Sequence, residues 1–261
     1  MSVDAPPPGA PRLDPRRHAL LAAMGITVWE RRASDAVAIV APAGDGPRVD
    51  AAAPAAATIR SGKPAADASA VAVAAMDWEQ LAQSVAACQA CDLHRTRANT
   101  VFGVGDRAAP LMVIGEAPGA DEDRRGEPFV GRAGQLLNSM LQAIGLAREA
   151  VFIANILKCR PPGNRDPKPD EVVACADFLA RQVALLQPRA ILAVGRIAAQ
   201  NLLGLDTPIG RMRGQRYEYG DAGIPVVVTY HPAYLLRSPA EKRKAWVDLL
   251  AVRAVLAETP R

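Results

Sequence analysis

Blocks of apolar and polar residues alternate along the C-terminal part of the chain and predict strands and helices in turn. Short apolar runs predict buried strands at 111–115, 151–157, 190–195 and 224–230. Apolar residues at helical spacing predict helices at 77–87, 134–146, 170–186, 196–204 and 239–258. Apolar strands that alternate with helices are typical of a parallel sheet covered on both faces.

The N-terminal part has a different pattern. Residues 1–13 are Pro-rich and predict disorder, and residues 14–32 predict a short amphipathic helix with a brief extended stretch. Residues 33–76 consist mainly of Ala, Pro, Gly and Asp, whose side chains bury too little area to offset the ordering of the backbone. We therefore expect an N-terminal extension with a linker over 1–77 and one working domain over 78–261.

Charge and composition narrow the class of protein. The chain of 261 residues has a formal net charge of +4. Residues 1–77 are neutral, so the whole excess lies in 78–261, where it permits an acidic partner. No apolar run reaches the roughly 18 residues of a membrane span, and the N-terminus lacks the charged-then-apolar pattern of a secretory signal. We expect a cytoplasmic protein without a membrane partner.

Polar residues follow three of the predicted strands. Glu116, Asn155 and His231 each stand at or just beyond a strand end, and ligands of open α/β sheets bind beyond the carboxyl ends of strands. If the strands are parallel, a carboxylate, an amide and an imidazole converge at one edge. Each residue also has a structural interpretation: a turn cap for Glu116, a turn residue bonding its own backbone for Asn155, and a surface or core histidine for His231.

An aromatic residue stands in a predicted polar loop over 121–134. Phe129 lies among charged residues and glycines, outside any helical or strand periodicity, in a chain with only four Phe. A planar base could stack on this ring, and such stacking contributes about 1–3 kcal/mol per base. The alternative is that Phe129 anchors the loop in the core.

The four cysteines are Cys88, Cys91, Cys159 and Cys175, spaced C-x2-C, then 67 residues, then 15 residues. Disulfides are disfavoured in a chain without a secretory signal. Four thiolates could hold zinc or an iron–sulfur cluster, and the spacing alone does not choose between these two. Four unrelated buried thiols are the third interpretation.

Basic residues recur in the loops after the strands and indicate a surface for a phosphate backbone, with a merely solvated basic surface as the alternative. The residues in these loops are Arg124, Arg125, Arg132, Lys158, Arg160, Arg165 and Lys168. Further basic residues cluster at Arg211, Arg213 and Arg216, and after His231 at Arg237, Lys242, Arg243 and Lys244. Next to His231, the apolar Leu235 and Leu236 precede Arg237, and such side chains suit insertion into a base stack.

Three segments together resemble the motifs of family 4 uracil-DNA glycosylases, the iron–sulfur members of their superfamily. They are GEAPGADEDRRGEPFVGRAGQLL (115–137), NILKCRPPGNRDPKPDE (155–171) and HPAYLLR (231–237). The resemblance covers the chain from about Trp78 onward. It implies a three-layer αβα fold with a central four-stranded parallel sheet. It also implies that a monomer hydrolyses the N-glycosidic bond of uracil in single- or double-stranded DNA, a base excision repair step that leaves an abasic site.

The resemblance also implies catalytic roles for individual residues. Glu116 and Ala117 match the motif that lines the uracil pocket and positions water, and Glu122 matches an acidic position associated with activity. His231 matches the histidine opposite the leaving group. Asn164 matches a second asparagine near the DNA and the active site.

Roles in binding follow from the same resemblance. Phe129 matches the aromatic residue that stacks on the flipped uracil, and Asn155 matches the amide that reads the uracil edge. The ligands of a [4Fe-4S] cluster are matched by Cys88, Cys91, Cys159 and Cys175. We expect this cluster to order the loops that carry Arg160 and Arg165, because metal binding is coupled to folding.

The chain differs from two other branches of the superfamily, and two rival functions stay open. Another family of the superfamily uses an aspartate to activate water where this chain has Glu116 and Ala117, so the identity of the base is open. A branch that traps the sugar covalently carries an Arg/His-rich insertion, which is absent after Cys159. The rivals are a non-catalytic nucleic-acid-binding protein with a structural metal and an iron–sulfur redox or sensor protein.

Overall fold

The computed structural model describes residues 72–258, so the features predicted for residues 1–71 lie outside the described residues. Eight helices of this part are α1 (Trp78–Ala87), α2 (Ala120–Arg125), α3 (Arg132–Ala143), α4 (Pro169–Leu186), α5 (Arg196–Leu203), α6 (Ile209–Met212), α7 (Pro232–Arg237) and α8 (Lys242–Glu258). Its strands are β1 (Val104–Gly105), β2 (Leu111–Gly115), β3 (Phe152–Asn155), β4 (Ala190–Val194), β5 (Tyr217–Tyr219) and β6 (Ile224–Thr229).

The strands form one sheet in the order β1-β3-β2-β4-β6-β5. The four central strands pair in parallel, as predicted, with Ile114 opposite both Ala154 and Ala193. The edge strands β1 and β5 pair antiparallel and extend the sheet to six strands. The sequence pattern missed both, because two or three residues are too few to show a strand period.

Side chains of the central strands point alternately to the two faces of the sheet, and they pack in two separate cores. Met112 and Ile114 of β2 pack with α4, α5 and α6 on one face, and Leu111 and Val113 pack with α3, α7 and α8 on the other. This arrangement confirms the three-layer αβα architecture. Both faces of the sheet are covered, which explains why its strands are continuous apolar runs.

Several element boundaries differ from the predicted ones. The segment predicted as a loop over 121–134 contains α2, a short helix of charged residues that ends at the left-handed Gly126. The predicted strand 151–157 ends at Asn155, and the predicted helix 239–258 is a 3₁₀ turn followed by α8 from Lys242. Apolar periodicity cannot reveal α2, because only its Asp123 is buried.

A third apolar cluster lies beneath α1. Asp77 caps this helix, with its carboxylate accepting from the Gln80 N–H at 2.9 Å. Val73 is buried in the cluster and Met76 packs against it, while the Met76 carbonyl accepts from Arg181 Nε at 2.6 Å. Packing onto the domain thus begins within the segment that the composition predicts as linker.

A buried ion pair fixes the end of β6. The Arg213 guanidinium donates to both carboxylate oxygens of Asp248, at 2.7 and 2.9 Å, and Thr229 Oγ1 donates to the same carboxylate at 2.8 Å. Arg213 also lies over the Tyr230 ring. Its guanidinium is therefore a structural group, which corrects its assignment to the basic DNA-facing cluster. Within residues 72–258, no helix combines the length and the apolar character that a membrane span requires.

Replacing Asp248→Asn should lower the free energy of unfolding by about 3–5 kcal/mol, because the buried Arg213 charge loses its partner. Urea unfolding followed by circular dichroism measures the change. Glu79→Gln is the matched control, since it breaks the exposed pair with Arg107 and should change stability by no more than about 1 kcal/mol. Equal effects of both substitutions would contradict the assigned role.

Candidate active site

The predicted convergence at the carboxyl edge of the sheet is confirmed. Glu116 follows β2, Asn155 ends β3 and His231 follows β6, and all three line one cleft of about 440 Å³. The cleft also contains Phe129, whose ring centroid lies 5.8 Å from that of His231. The parallel pairing of the strands brings Glu116, Asn155 and His231 together, and the loop between α2 and α3 adds Phe129.

Asn155 is buried, and its Oδ1 atom has no hydrogen-bond partner among residues 72–258. A Cβ atom added at Gly115 would lie 2.4 Å from this oxygen and 2.7 Å from the Phe129 ring, so the site requires glycine there. A buried acceptor without a donor costs about 1–3 kcal/mol. The amide is therefore poised for a ligand that supplies an N–H.

His231 presents one ring nitrogen to the cleft as a donor. Its Nδ1 accepts from the Ala233 N–H at 3.1 Å, so the neutral ring carries its proton on Nε2. Burial, with a smaller contribution from the Arg237 charge, lowers the pKa of His231 to about 4, which keeps the ring neutral at physiological pH. Gly195 packs against it, since an added Cβ would lie 3.0 Å from the His231 Cβ.

Glu116 is half-buried, and its carboxyl group titrates near neutrality. Burial, and secondarily the negative charge of Asp166, raises the pKa of Glu116 to about 7, while Arg196 opposes the rise. Arg196 Nη2 contacts Asp166 Oδ2 at 2.8 Å, so the two charged side chains that affect the pKa of Glu116 form an ion pair with each other. A carboxyl group with this pKa can take a proton from water at physiological pH.

Phe129 is fixed in a strained conformation at the floor of the cleft. Its φ of 53° lies in the left-handed region, which is uncommon for a bulky residue. Arg148 Nη1 donates to the Phe129 carbonyl at 3.4 Å and Nη2 to the Pro128 carbonyl at 2.6 Å. Only a glycine fits at 134, where an added Cβ would lie 1.7 Å from the Phe129 carbonyl oxygen. Phe129 thus both anchors its loop in the core and lines the cleft.

Glu122 lines the same cleft, and its carboxylate accepts hydrogen bonds from the backbone. Oε1 accepts from the N–H groups of Val130 and Gly131, at 3.2 and 3.4 Å. The neighbouring Asp123 is buried and accepts from the Ala98 N–H at 3.0 Å. The geometry makes Glu122 a support for the Phe129 loop.

The remaining predicted residues lie at the rim or away from the cleft. Ala117, Asn164, Arg165 and Arg237 line the cleft. Arg160 does not line it, but its Nε donates to Asn164 Oδ1 at 2.7 Å. The Arg165 guanidinium forms an ion pair with Glu171, which ties the loop over 160–168 to the first turn of α4.

The assignment of Leu235 to DNA insertion is wrong. Leu235 is 1% exposed and packs in the core beneath α7, so it cannot reach a base stack. Leu236 and Arg237 on the same helix are exposed, as is Tyr234. Helical spacing within HPAYLLR already separates Leu235 from Leu236, because successive helical residues point in different directions.

The four cysteines surround a second pocket, beneath α1 and α4. The pocket is lined by Cys88, Cys91, Cys159 and Cys175. In the described part of the chain, no three Cys, His, Asp or Glu side chains group closely enough to hold a single metal ion. The four thiols nevertheless line one pocket, and thiolates are the ligands that iron–sulfur clusters use.

Hydrogen-bond donors point at two of the sulfurs. Arg97 Nη1 donates to Cys159 Sγ at 3.0 Å, and the Lys158 backbone N–H donates to Cys175 Sγ at 3.3 Å. Burial raises the pKa of the Cys175 thiol to about 11, so metal binding would have to displace its proton.

Lys158 departs from its predicted role. The sequence pattern places it with the DNA-facing basic residues, but it is 1% exposed. Its Nζ donates to the Asn155 carbonyl at 2.9 Å and to Gln182 Oε1 at 2.6 Å. Burial is the main cause of a pKa lowered to about 8. No sequence pattern distinguishes this lysine from the arginines beside it.

Sequence reasoning also missed supporting residues of the cleft. Arg148 stands in a segment without a motif, and its contacts to the Phe129 loop arise only from the tertiary fold. Asp166 and Arg196 are remote from each other in sequence and meet near Glu116. Gly115 and Gly195 are the last residues of two predicted strands. Glycine at a strand end was the one indication that the backbone approaches a side chain closely there.

Comparisons with known proteins agree with this geometry. The family model of the uracil DNA glycosylase superfamily matches residues 102–250. A type-4 uracil-DNA glycosylase of Archaeoglobus fulgidus is 49% identical over 167 residues, which cover 62% of this chain and 84% of that protein. Type-4 uracil-DNA glycosylases of Pyrobaculum aerophilum and Saccharolobus solfataricus are 44% and 42% identical, over 67% and 69% of this chain and 92% and 87% of theirs. The chain therefore belongs to the uracil DNA glycosylase superfamily and, within it, to the type-4 uracil-DNA glycosylases.

Proposed function

We propose that this protein removes uracil from DNA by hydrolysing the bond between the base and deoxyribose. The observation that carries the proposal is the buried, unpartnered Oδ1 of Asn155 in a cleft that also holds Phe129, Glu116 and His231. Two of the relatives are named type-4 uracil-DNA glycosylases, and these names support the proposal. The partner is uracil-containing DNA, single- or double-stranded, bound by a monomer.

Base identity is read by Asn155. The N3–H of uracil supplies the donor that Oδ1 lacks, and the Nδ2 group of the same amide can donate to O4. Cytosine presents an acceptor at N3 and an amino group at position 4, so both contacts would become unfavourable. A site with a buried polar group rejects a ligand that leaves the group unpaired. The Phe129 ring provides the surface on which the flipped base stacks.

His231 and Glu116 have separate roles in bond cleavage. As the bond between C1′ and N1 breaks, its electron pair leaves with uracil, and the His231 Nε2–H donates to the developing anion. A water oxygen then bonds to C1′, and Glu116 accepts the water proton. The uracil anion later takes a proton from solvent, and an abasic sugar remains. Glu122 and Asn164 act by holding the loops around the cleft.

The rim of the cleft binds the phosphates. Arg160, Arg165 and Arg237 lie on or beside it, and cationic side chains there favour DNA through counterion release. The exposed Leu236 replaces the buried Leu235 as the side chain that fills the vacated stack. Flipping a base costs a few kcal/mol, which these contacts offset.

The cysteine pocket holds a [4Fe-4S] cluster in this proposal, with Cys88, Cys91, Cys159 and Cys175 as ligands. Such a cluster, when bound, supplies a structural crosslink, because it joins segments that are far apart in sequence. The residues between Cys159 and Cys175 form the rim loop of Arg160 and Arg165. The cluster therefore orders the DNA-facing rim.

Uracil excision should occur in the purified protein and fall in Asn155→Ala. We expect wild type to produce alkali-labile sites in uracil-containing oligonucleotides but not in cytosine-containing ones. Asn155→Ala should lower kcat/KM by about ten- to hundredfold, the scale of two lost hydrogen bonds to the base. Asn201→Ala, an exposed amide on α5, is the matched control. DNA binding by wild type without any base release would instead favour the non-catalytic alternative.

Activity should rise with pH through the pKa of Glu116. The carboxylate is the active form, so kcat/KM should increase about tenfold per pH unit below about 7 and level off above it. His231, with a pKa of about 4, stays neutral over this range and adds no second inflection. Single-turnover rates between about pH 5.5 and 8.5 provide the measurement. Glu116→Gln should be slow and independent of pH, and an unchanged profile in this variant would exclude Glu116 as the base.

Loss of one cysteine should remove the cluster. Wild type should contain iron and sulfide and show broad visible absorption, whereas Cys175→Ser should lose both and unfold at a lower temperature, since bound metal contributes to stability. Ala174→Ser, next to the same ligand in the same pocket, is the control and should retain the absorption. Stoichiometric zinc in the wild-type protein would contradict the assignment.

A further inference from the structure

Lys158 stands at the junction between the cysteine pocket and the uracil-reading amide. It lines the cysteine pocket, and its backbone N–H donates to Cys175 Sγ. Its carbonyl accepts from the Val101 N–H at 2.7 Å. Its ammonium group donates to the Asn155 carbonyl and to Gln182 Oε1. Every polar group of this buried residue is thus engaged, on one side with a sulfur ligand and on the other with the cleft.

The charge of Lys158 has no carboxylate partner among residues 72–258. Both oxygens that accept from its ammonium group are neutral, and one of them, on Gln182, is itself fixed because Gln182 Nε2 donates to the Phe102 carbonyl at 2.8 Å. Burying an ammonium group without a counter-charge is strongly unfavourable. The groups in its surroundings that can carry negative charge are the thiolates of Cys159 and Cys175.

The contact to Asn155 reaches the side chain that reads the base. The Asn155 carbonyl is the last of β3, and the next N–H groups, of Ile156 and Leu157, donate to the carbonyls of Gly115 and Glu116. The backbone of Asn155 is therefore held between β2 and the Lys158 ammonium group. The Asn155 amide lies so close to Gly115 that an added Cβ would be 2.4 Å from Oδ1. A small shift of the Asn155 backbone would therefore move Oδ1 out of register with the base.

We propose that Lys158 is a positioning residue that supplies the counter-charge of the anionic cysteine-ligated cluster and holds Asn155 in place for uracil recognition. The first half of the inference rests on the proposed cluster, and its second half rests on the proposed excision of uracil. It assigns one buried cation to two tasks, so that a single substitution should alter both a property of the cluster and the binding of the base.

The test compares Lys158→Met with Arg253→Met, which removes an exposed cation on α8. The midpoint potential of the bound cluster is measured by anaerobic titration, and the inhibition constant of free uracil is measured on uracil-containing DNA. In Lys158→Met the potential should become more negative, because loss of a nearby positive charge disfavours the reduced cluster. The inhibition constant should rise about tenfold, the scale of one hydrogen bond to a charged group. Binding to abasic-site DNA, which depends on the rim, should not change.

Two further variants separate the roles. Lys158→Arg keeps the charge and should keep the potential, even if uracil binding weakens. Gln182→Met keeps both the charge and the cysteines but loosens the ammonium group, so uracil binding should weaken while the potential stays near that of wild type. If Lys158→Met does not fold, a changed potential in Lys158→Arg would overturn the counter-charge role, and wild-type uracil inhibition in Gln182→Met would overturn the positioning role.

Wild-type potential together with wild-type uracil inhibition in Lys158→Met would overturn the inference. A wild-type protein that holds the cluster but releases no uracil would overturn the proposed function and the positioning role. The potential of Lys158→Met would then still decide the counter-charge role, so the two failures are distinguishable.

Discussion

The parallel register of the four central strands is the constraint on which the cleft depends. β2 pairs with both β3 and β4, and β4 pairs with β6, so their carboxyl ends lie along one edge. Glu116, Asn155 and His231 are about forty or more residues apart in the chain, yet this register places them around one volume. Two glycines complete the edge: Gly115 admits the Asn155 amide and the Phe129 ring, and Gly195 admits His231.

Burial at this edge raises the pKa of an acid and lowers the pKa of a base, and the proposed chemistry uses both shifts. Removal from water raises the pKa of the Glu116 carboxyl group and lowers that of the His231 imidazole, because in each case the charged form is disfavoured. A neutral imidazole that donates and a carboxyl group that titrates near neutrality are the pair required to stabilise a departing anion and accept a water proton. The same burial leaves Asn155 Oδ1 without a hydrogen-bond partner among residues 72–258, and the proposed selectivity for uracil depends on this oxygen.

The sequence could predict what depends on local pattern, and it failed where tertiary packing decides. Strand ends and apolar runs predicted the central sheet and the convergence of Glu116, Asn155 and His231. Charge alone could not distinguish an exposed arginine from the buried Lys158 or Arg213, whose partners lie on other elements. Leu235 was misassigned for a related reason: no helix was predicted over its motif, whereas α7 turns this side chain into the core.

The cysteine pocket and the cleft are linked by two independent sets of contacts. One passes through Lys158 to the backbone of Asn155. The other leaves the pocket through Arg97, which contacts Cys159, and continues through the adjacent Ala98 to Asp123 on α2. The helix also carries Glu122, which holds the loop after Phe129, so α2 transmits the order of the pocket to the stacking ring. In the proposed function, a crosslink at the cysteines therefore constrains both the amide that would read the edge of the base and the ring on which the base would stack, without any atom of the pocket touching the base.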